Sequence, residues 1–156
     1  MLIDIPSEAE INCSAERVFD LIADLRGQVA WLSPSSSFKG TADISGGPVR
    51  LGTTYRETAP LGVRTGVVTE FDRPTRITFQ QPMTLKMRAG VLGITVRYVL
   101  TPHGPITHVS RVSTLDVPGR LAVVTPVIVR ASRVESARTV AALKRYADTI
   151  GQPRYR

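Results

Sequence analysis

Between Arg64 and Gln81 the chain reads RTGVVTEFDRPTRITFQQ, in which apolar and polar residues alternate, break at Asp72-Arg73-Pro74-Thr75 and alternate again. A period of two sends successive side chains to opposite faces of a strand, so this stretch is a hairpin with one covered face and one wet face. The same period extends from Phe38 to Val117, punctuated by turn residues at Ser45-Gly46-Gly47-Pro48, Pro60-Leu61-Gly62, Ala89-Gly90 and Gly104-Pro105. Such spacing predicts a meander of antiparallel strands. Its apolar face has to be covered by another element, and the nature of that cover decides the fold.

The flanks supply the candidates. LIDIPSEAEINC alternates as a first strand, and Pro6 places it at a sheet edge or a bulge because proline cannot donate to a ladder. Ser14 is a good helix N-cap, Glu16 sits in the first turn, and Cys13 with Val18 forms the apolar pair of a hydrophobic staple. Val18, Phe19, Leu21, Ile22 and Leu25 give that helix an apolar face, Gly27 ends or interrupts it, and QVAWL is expected to form a short second helix. SPSSS, from Ser33 to Ser37, reads as a loop. Beyond Pro118-Gly119 the strand punctuation stops, and Val134, Ala137, Val140, Ala141, Leu143 and Ala147 recur at helical spacing. This predicts a long C-terminal helix in which Pro126 is either a kink or the first residue of a new segment capped by Thr125.

Each hairpin loop fixes a register, and the registers can be checked against one another. A two-residue loop at Ala89-Gly90 sets Leu85 against Ile94, Met83 against Val96, Gln81 against Tyr98 and Phe79 against Leu100. A loop at Arg73-Pro74-Thr75 sets Phe71 against Ile77 and Val67 against Gln81, and Gly104-Pro105 sets Tyr98 against Arg111 and Val96 against Ser113. A type I turn over Ala59 to Gly62 sets Glu57 against Thr65 and Tyr55 against Val67. The covered face then carries Thr65, Val67, Thr69, Phe71, Ile77, Phe79 and Gln81, leaving Arg64, Glu70, Arg76 and Gln80 for water. Glu57, Tyr98, Arg111 and Ser113 share that covered face, where polar groups are costly unless paired or wet. An ordinary core has little use for them, whereas a cavity with apolar walls uses a few converging polar groups to orient a ligand. The expected lining is Trp31, Tyr55, Val67, Phe71, Phe79, Gln81, Met83, Ile94, Val96, Tyr98, Arg111 and Ser113. Tyr98, Arg111 and Glu57 are the catalytic candidates: Arg111 to fix a carboxylate, phosphate or enolate oxygen, Tyr98 to donate a proton, Glu57 as a base or as an ion-pair partner.

Composition excludes several classes. The net charge of +7 invites a nucleic-acid reading, but the basic residues, among them Arg17, Arg50, Arg64, Arg88, Arg130 and Arg156, are scattered, and no nucleic-acid motif accompanies them. No specific nucleic-acid partner is expected. The single cysteine, Cys13, has no Cys or His cluster around it, so a buried apolar role is expected and a zinc site is not. His103 and His108 lack the hydroxyl and carboxylate neighbours of a triad. GTADISGG lacks the lysine and the strand-to-helix setting of a phosphate loop. There is no long apolar run, and the N-terminus is acidic where a secretory signal would be basic. One cytoplasmic domain spanning residues 1–156, without metal or cofactor, is the expectation, and a homodimer is left open.

The stretches INCSAERVFDLIADLRGQVAWL, GVVTEFDRPTRITF, VRYVLTP and ARTVAALKRYAD resemble the polyketide cyclase/dehydrase and lipid-transport branch of the START-like, Bet v 1-like (SRPBCC) superfamily. The resemblance covers nearly the whole chain and rests on apolar and turn positions. It implies an α+β helix-grip fold, in which a curved antiparallel sheet of about seven strands wraps a long C-terminal helix around a cavity. It also implies binding, transport or sequestration of a hydrophobic or aromatic small molecule, lipid-like or polyketide-like. A cyclase, aromatase or dehydratase using the same cavity is the alternative, and an interaction module acting through its basic surface is a further one. The binding protein is favoured over the enzyme, since no catalytic signature is shared across such proteins and fold alone supplies no reaction.

Overall fold

A computed structural model describes residues 1–35 and 39–151. Ser36, Ser37 and Phe38, at the end of the expected loop and the start of the expected strand region, and Arg156 lie outside the described residues. Strand β1 (Leu2–Ile11) leads to helix α1 (Ala15–Ala23) and a 3₁₀ turn at Gln28–Ala30. Then follow β2 (Thr41–Ala42), β3 (Thr54–Ala59), β4 (Gly62–Asp72), β5 (Arg76–Gln80), β6 (Met83–Leu85), β7 (Val91–His103) and β8 (Ile106–Asp116). A 3₁₀ segment at Gly119–Val124 runs directly into helix α2 (Thr125–Gly151). The sheet order is β1-β8-β7-β5-β4-β3-β2, with β6 bridging β4 and β7, and all pairings are antiparallel. This is the helix-grip architecture: a curved sheet with α2 lying in its concave face.

The local signals act as read. Ser14 Oγ accepts from Arg17 N at 3.3 Å to cap α1, and the staple residues Cys13 and Val18 are both buried. Burial pushes the Cys13 thiol above its ordinary pKa. Pro6 lies in β1 at the sheet edge, where its missing N–H interrupts no second ladder. Pro126 stands in the first turn of α2, but Thr125 does not cap it; the Thr125 hydroxyl donates back to Leu121 O at 3.2 Å. The far end of α2 is pinned to the β1–α1 corner: Asn12 N donates to Asp148 Oδ1 at 2.8 Å, Lys144 Nζ to Glu10 O at 2.6 Å and Arg17 Nη1 to Ile150 O at 2.9 Å.

Four registers can now be compared with expectation. The β7–β8 hairpin pairs Tyr98 with Arg111 and Val96 with Ser113, as its two-residue turn predicts. The β5–β7 pairing is displaced by four residues, with Phe79 opposite Val96 rather than Leu100. The cause is local: Lys86–Arg88 forms a 3₁₀ turn with Met87 and Arg88 at positive φ, so the connection is longer than Ala89-Gly90 alone. A shift of four is even, so no side chain changes face.

The two remaining errors are odd, and they do change faces. β4 carries a bulge between Val68 and Glu70, so Phe71 still faces Ile77 but Phe79 now faces Val68 instead of Thr69. The β3–β4 loop holds two residues, Pro60 and Leu61, which sets Tyr55 against Gly66 and Glu57 against Arg64. The inner face of β4 is therefore Arg64, Gly66 and Val68, while Thr65 and Thr69 are exposed; the expectation that Thr65, Val67 and Thr69 share the covered face is corrected, as is Arg64's assignment to water. Along α2 the buried residues are Ser136, Thr139, Val140, Ala142, Leu143 and Ala147, whereas Val134, Ala137 and Ala141 face outward.

Gly66 shows what this register demands. The Tyr55 ring lies across it so closely that an added Cβ would sit 2.1–2.4 Å from ring carbons. Replacing Gly66 by Ala forces the ring aside and is expected to destabilise the fold by about 1–3 kcal/mol, the usual penalty of overpacking. Denaturant unfolding, with the slope unchanged and the midpoint lowered, checks it.

Candidate functional site

Between the sheet and the first half of α2 lie two adjoining chambers. The larger has a volume of about 170 Å³ and is lined mainly by apolar residues, including Met83, Leu92, Ile94 and Leu115 from the sheet and Ile128 from α2. It is comparable to the roughly 150 Å³ apolar cavity that admits benzene in an engineered protein. The smaller, about 70 Å³, is bounded by Trp31, Tyr55, Phe79 and Tyr98, with Glu57 and Thr139. Arg64, Gln81, Val96, Arg111 and Glu135 border both, forming a largely polar partition.

Of the expected lining residues, Met83, Ile94 and Ser113 fall in the larger chamber, Trp31, Tyr55, Phe79 and Tyr98 in the smaller, and Gln81, Val96 and Arg111 on the partition. Val67 and Phe71 line neither and are corrected. The odd register of β4 turns Val67 to the outer side, and Phe71 packs edge-on against Phe19 of α1, ring centroids 5.1 Å apart. Sequence reasoning missed Arg64, Ser136 and Thr139. Stepping back by four from Val140 and Leu143 along α2 reaches Ser136 and Thr139, and Gly66 beneath an inward aromatic was the available sign for β4.

Arg111 is the centre of the arrangement. It stands on β8, only 9% exposed, and its Nε donates to Tyr98 Oη at 3.0 Å across the β7–β8 pair. Its Nη1 donates to Ser136 Oγ on α2 at 2.7 Å, and its Cζ is 5.6 Å from the Tyr98 ring centroid. Both neighbours are neutral, and among the described residues no carboxylate pairs with it. The two acids on the chamber walls are engaged elsewhere. Glu57 accepts from Arg64 Nε at 2.9 Å and from Thr41 Oγ1 at 3.0 Å, and Glu135 binds Arg138 at 2.7 Å. Glu57 is thus one half of a buried ion pair and not a free base.

The smaller chamber has its own polar line. Tyr55 Oη donates to Gln81 Oε1 at 2.6 Å, which leaves the Gln81 amide nitrogen without a partner among the described residues. Burial, then the nearby Glu57 charge, pushes the Tyr55 phenol far above its ordinary pKa. The Trp31 indole Nε1 is buried with no acceptor among the described residues. A buried donor of this kind calls for an acceptor.

A family model described as polyketide cyclase/dehydrase and lipid transport matches residues 3–148. The chain belongs to that family. Solved structures agree on the SRPBCC, Bet v 1-like fold. A truncated norcoclaurine synthase from Thalictrum flavum superposes with a TM-score of 0.71 at 17% identity, covering 94% of this chain and 93% of that one. The protein MLL2253 from Mesorhizobium loti gives 0.72 at 14%, over 94% and 98%. The Aha1 dimer from Colwellia psychrerythraea gives 0.68 at 18%, over 97% and 99%. At these identities the likeness is one of fold. No curated protein matches the chain. Among the described residues no helix is long and apolar enough to cross a membrane.

Two tests follow from the geometry of this family member. Glu57→Ala removes the carboxylate that Arg64 Nε meets and is expected to lower stability by about 1–3 kcal/mol, read from denaturant unfolding. Because the folded state resists Tyr55 ionisation, its contribution is intact below about pH 10 and is lost as pH rises above that value. Tyr55→Phe should therefore show a shallower alkaline decline in unfolding free energy than the parent between about pH 9 and pH 11.

Proposed function

We propose that the protein binds a small molecule with an apolar or aromatic body and an acidic oxygen group, enclosed between the sheet and α2. The observation that carries this is Arg111: a buried cation on the wall between two chambers, oriented by Tyr98 and Ser136 and paired with no carboxylate among the described residues. Leaving a guanidinium without a counter-charge is unfavourable in a low-dielectric site, and an entering anion relieves that penalty. The apolar larger chamber takes the body of the molecule, where removal of apolar area from water contributes about 25 cal/mol per Å². Gln81 and Trp31 offer further donors. Family membership supports hydrophobic-ligand binding or cyclase-like chemistry as the class. Norcoclaurine synthase, an enzyme by its name, also supports a use of this fold beyond storage.

The enzymatic reading has one specific observation in its favour. Tyr98 Oη accepts from Arg111, so its own proton is available to a ligand oxygen, and the pair forms a donor set for a developing enolate. Carrier and cyclase differ in outcome: an enzyme turns over a poly-β-ketone surrogate and loses that turnover in Tyr98→Phe, whereas a carrier shows none.

Calorimetry with 2-naphthoic acid and its methyl ester tests the central claim. The acid is expected to bind at least tenfold more tightly than the ester, and Arg111→Met to remove that difference while leaving ester binding unchanged. Equal binding of acid and ester to the parent protein would sink the anion reading. Native mass spectrometry of freshly purified protein identifies whatever natural ligand travels with it.

A further inference from the structure

At the end of the fold where Leu61 and Ile128 line the larger chamber, three separate pieces of chain leave apolar side chains in water: the β3–β4 tip, the stretch from Lys86 to Val91, and the continuous run from Gly119 into α2. Met87 is 98% exposed on the Lys86–Arg88 turn and Val123 is 92% exposed on the Gly119–Val124 segment; Leu61, Val91, Val124 and Val127 are exposed as well. They are far apart in sequence but adjacent in space. Lys86 N donates to Leu61 O at 2.9 Å, which seats the Lys86–Arg88 turn on the tip of the β3–β4 hairpin. Arg120 Nη1 reaches Arg88 O at 3.5 Å, and the Arg120 Cδ would contact a Cβ at Gly90 at 3.4 Å, so the Gly119–Val124 segment abuts the same turn. Val127 follows in the first turn of α2. Pro60 and Leu61 line the larger chamber together with Ile128, Ala131 and Ser132, and Pro60, Leu61 and Ala131 are also exposed, so the chamber reaches the surface between the β3–β4 hairpin and α2.

The charge at this end is predominantly positive, with Asp116 opposite Gly93 and Asp4 against Thr114 as the nearby acids. From Arg73 to Leu115 and again from Val117 to Val134 the sequence contains no Asp or Glu, and Asp116 between them pairs with the N-terminal ammonium. Lys86, Arg88, Arg120 and Arg130 are all exposed here. Met87 and Arg88 are moreover held at φ of 58° and 56°, a left-handed backbone that side chains disfavour, and the result is a methionine thrust wholly outward. Water gives no return for that arrangement. A surface that is apolar below and anionic above does.

We propose that this end is a docking surface for an anionic lipid bilayer. Leu61, Met87, Val123 and Val127 enter the headgroup boundary, and Lys86, Arg88, Arg120 and Arg130 engage lipid phosphates. Seated this way, the opening between the β3–β4 hairpin and α2 faces the apolar phase, so a hydrophobic guest can pass between membrane and chamber without crossing water. Docking itself does not depend on which ligand the chamber holds.

Flotation with vesicles of phosphatidylcholine and phosphatidylglycerol in equal parts, against phosphatidylcholine alone, tests this. The protein is expected to float with the mixed vesicles at low salt, at least tenfold more than with phosphatidylcholine, and to be released by high salt. Met87→Asp with Val123→Asp, and separately Lys86→Glu with Arg88→Glu, should each reduce flotation at least tenfold while leaving the thermal midpoint and 2-naphthoic acid binding unchanged. Asp tolerates the left-handed backbone at 87, so the first pair is a test of contact and not of folding. As a second readout, Cys13 is buried, so a fluorophore on Val123→Cys reports insertion by a blue shift. No flotation of the parent, equal flotation of the variants, or retention on an acidic polypeptide without vesicle binding would overturn the proposal, the last assigning the patch to an acidic protein.

Discussion

A guanidinium buried between a sheet and a helix governs the interior of this molecule. Arg111 cannot be packed as an apolar residue would be, because a guanidinium carries five N–H donors, and two of them are met by one hydroxyl on β7 and one on α2. Those two hydrogen bonds connect the covering helix to the floor of the sheet at the partition between the chambers. Close packing of α2 on the sheet is concentrated further along, where Val140, Leu143 and Ala147 are buried. Toward Thr125 the helix stands off, and the space beneath it is the larger chamber.

The opposing devices keep that space from collapsing. At one end α2 is fastened by Asp148, Lys144 and the Ile150 carbonyl to the corner between β1 and α1. At the other, the Gly119–Val124 segment rests on the Lys86–Arg88 turn through Arg120. The inner wall is stiffened by the buried Glu57–Arg64 pair and by an aromatic series in which Tyr55, Phe79 and Tyr98 meet edge to face at 6.1 and 6.3 Å. Aromatic rings in that geometry hold one another's orientation, so the wall of the smaller chamber is preformed. Preorganisation of this kind lowers the ordering penalty of binding.

Reading faces from alternation is reliable where the turn declares its own length and unreliable where the strand hides an irregularity. The β7–β8 hairpin turns on Gly104-Pro105, with Gly104 at φ of 63°, and every pair down to Gly93 opposite Asp116 follows from that turn. Met83 and Phe79 kept their faces even though their partners moved by four, because an even slip leaves parity intact. The bulge at Thr69 had no sequence sign of its own and reversed Val67 and Arg64, and the odd shift at the two-residue β3–β4 loop returned Tyr55 and Glu57 to the inner face. Parity is a running count, so a single uncounted residue reverses what lies beyond it until a second one restores it.

By itself the sequence determined the order of elements, the capped first helix, the edge placement of the Pro6 strand and the Tyr98–Arg111 pairing. Each of these depends on neighbours in sequence or on a single short turn, and such interactions are written locally. Tertiary structure alone decided that Arg64 binds Glu57 inside, that Ser136 rather than an acid meets Arg111, and that exposed valines and a methionine from distant segments share one end. Those outcomes depend on how α2 is rotated and where the sheet bulges, and both are settled by the packing of the whole interior, which no local window of residues contains.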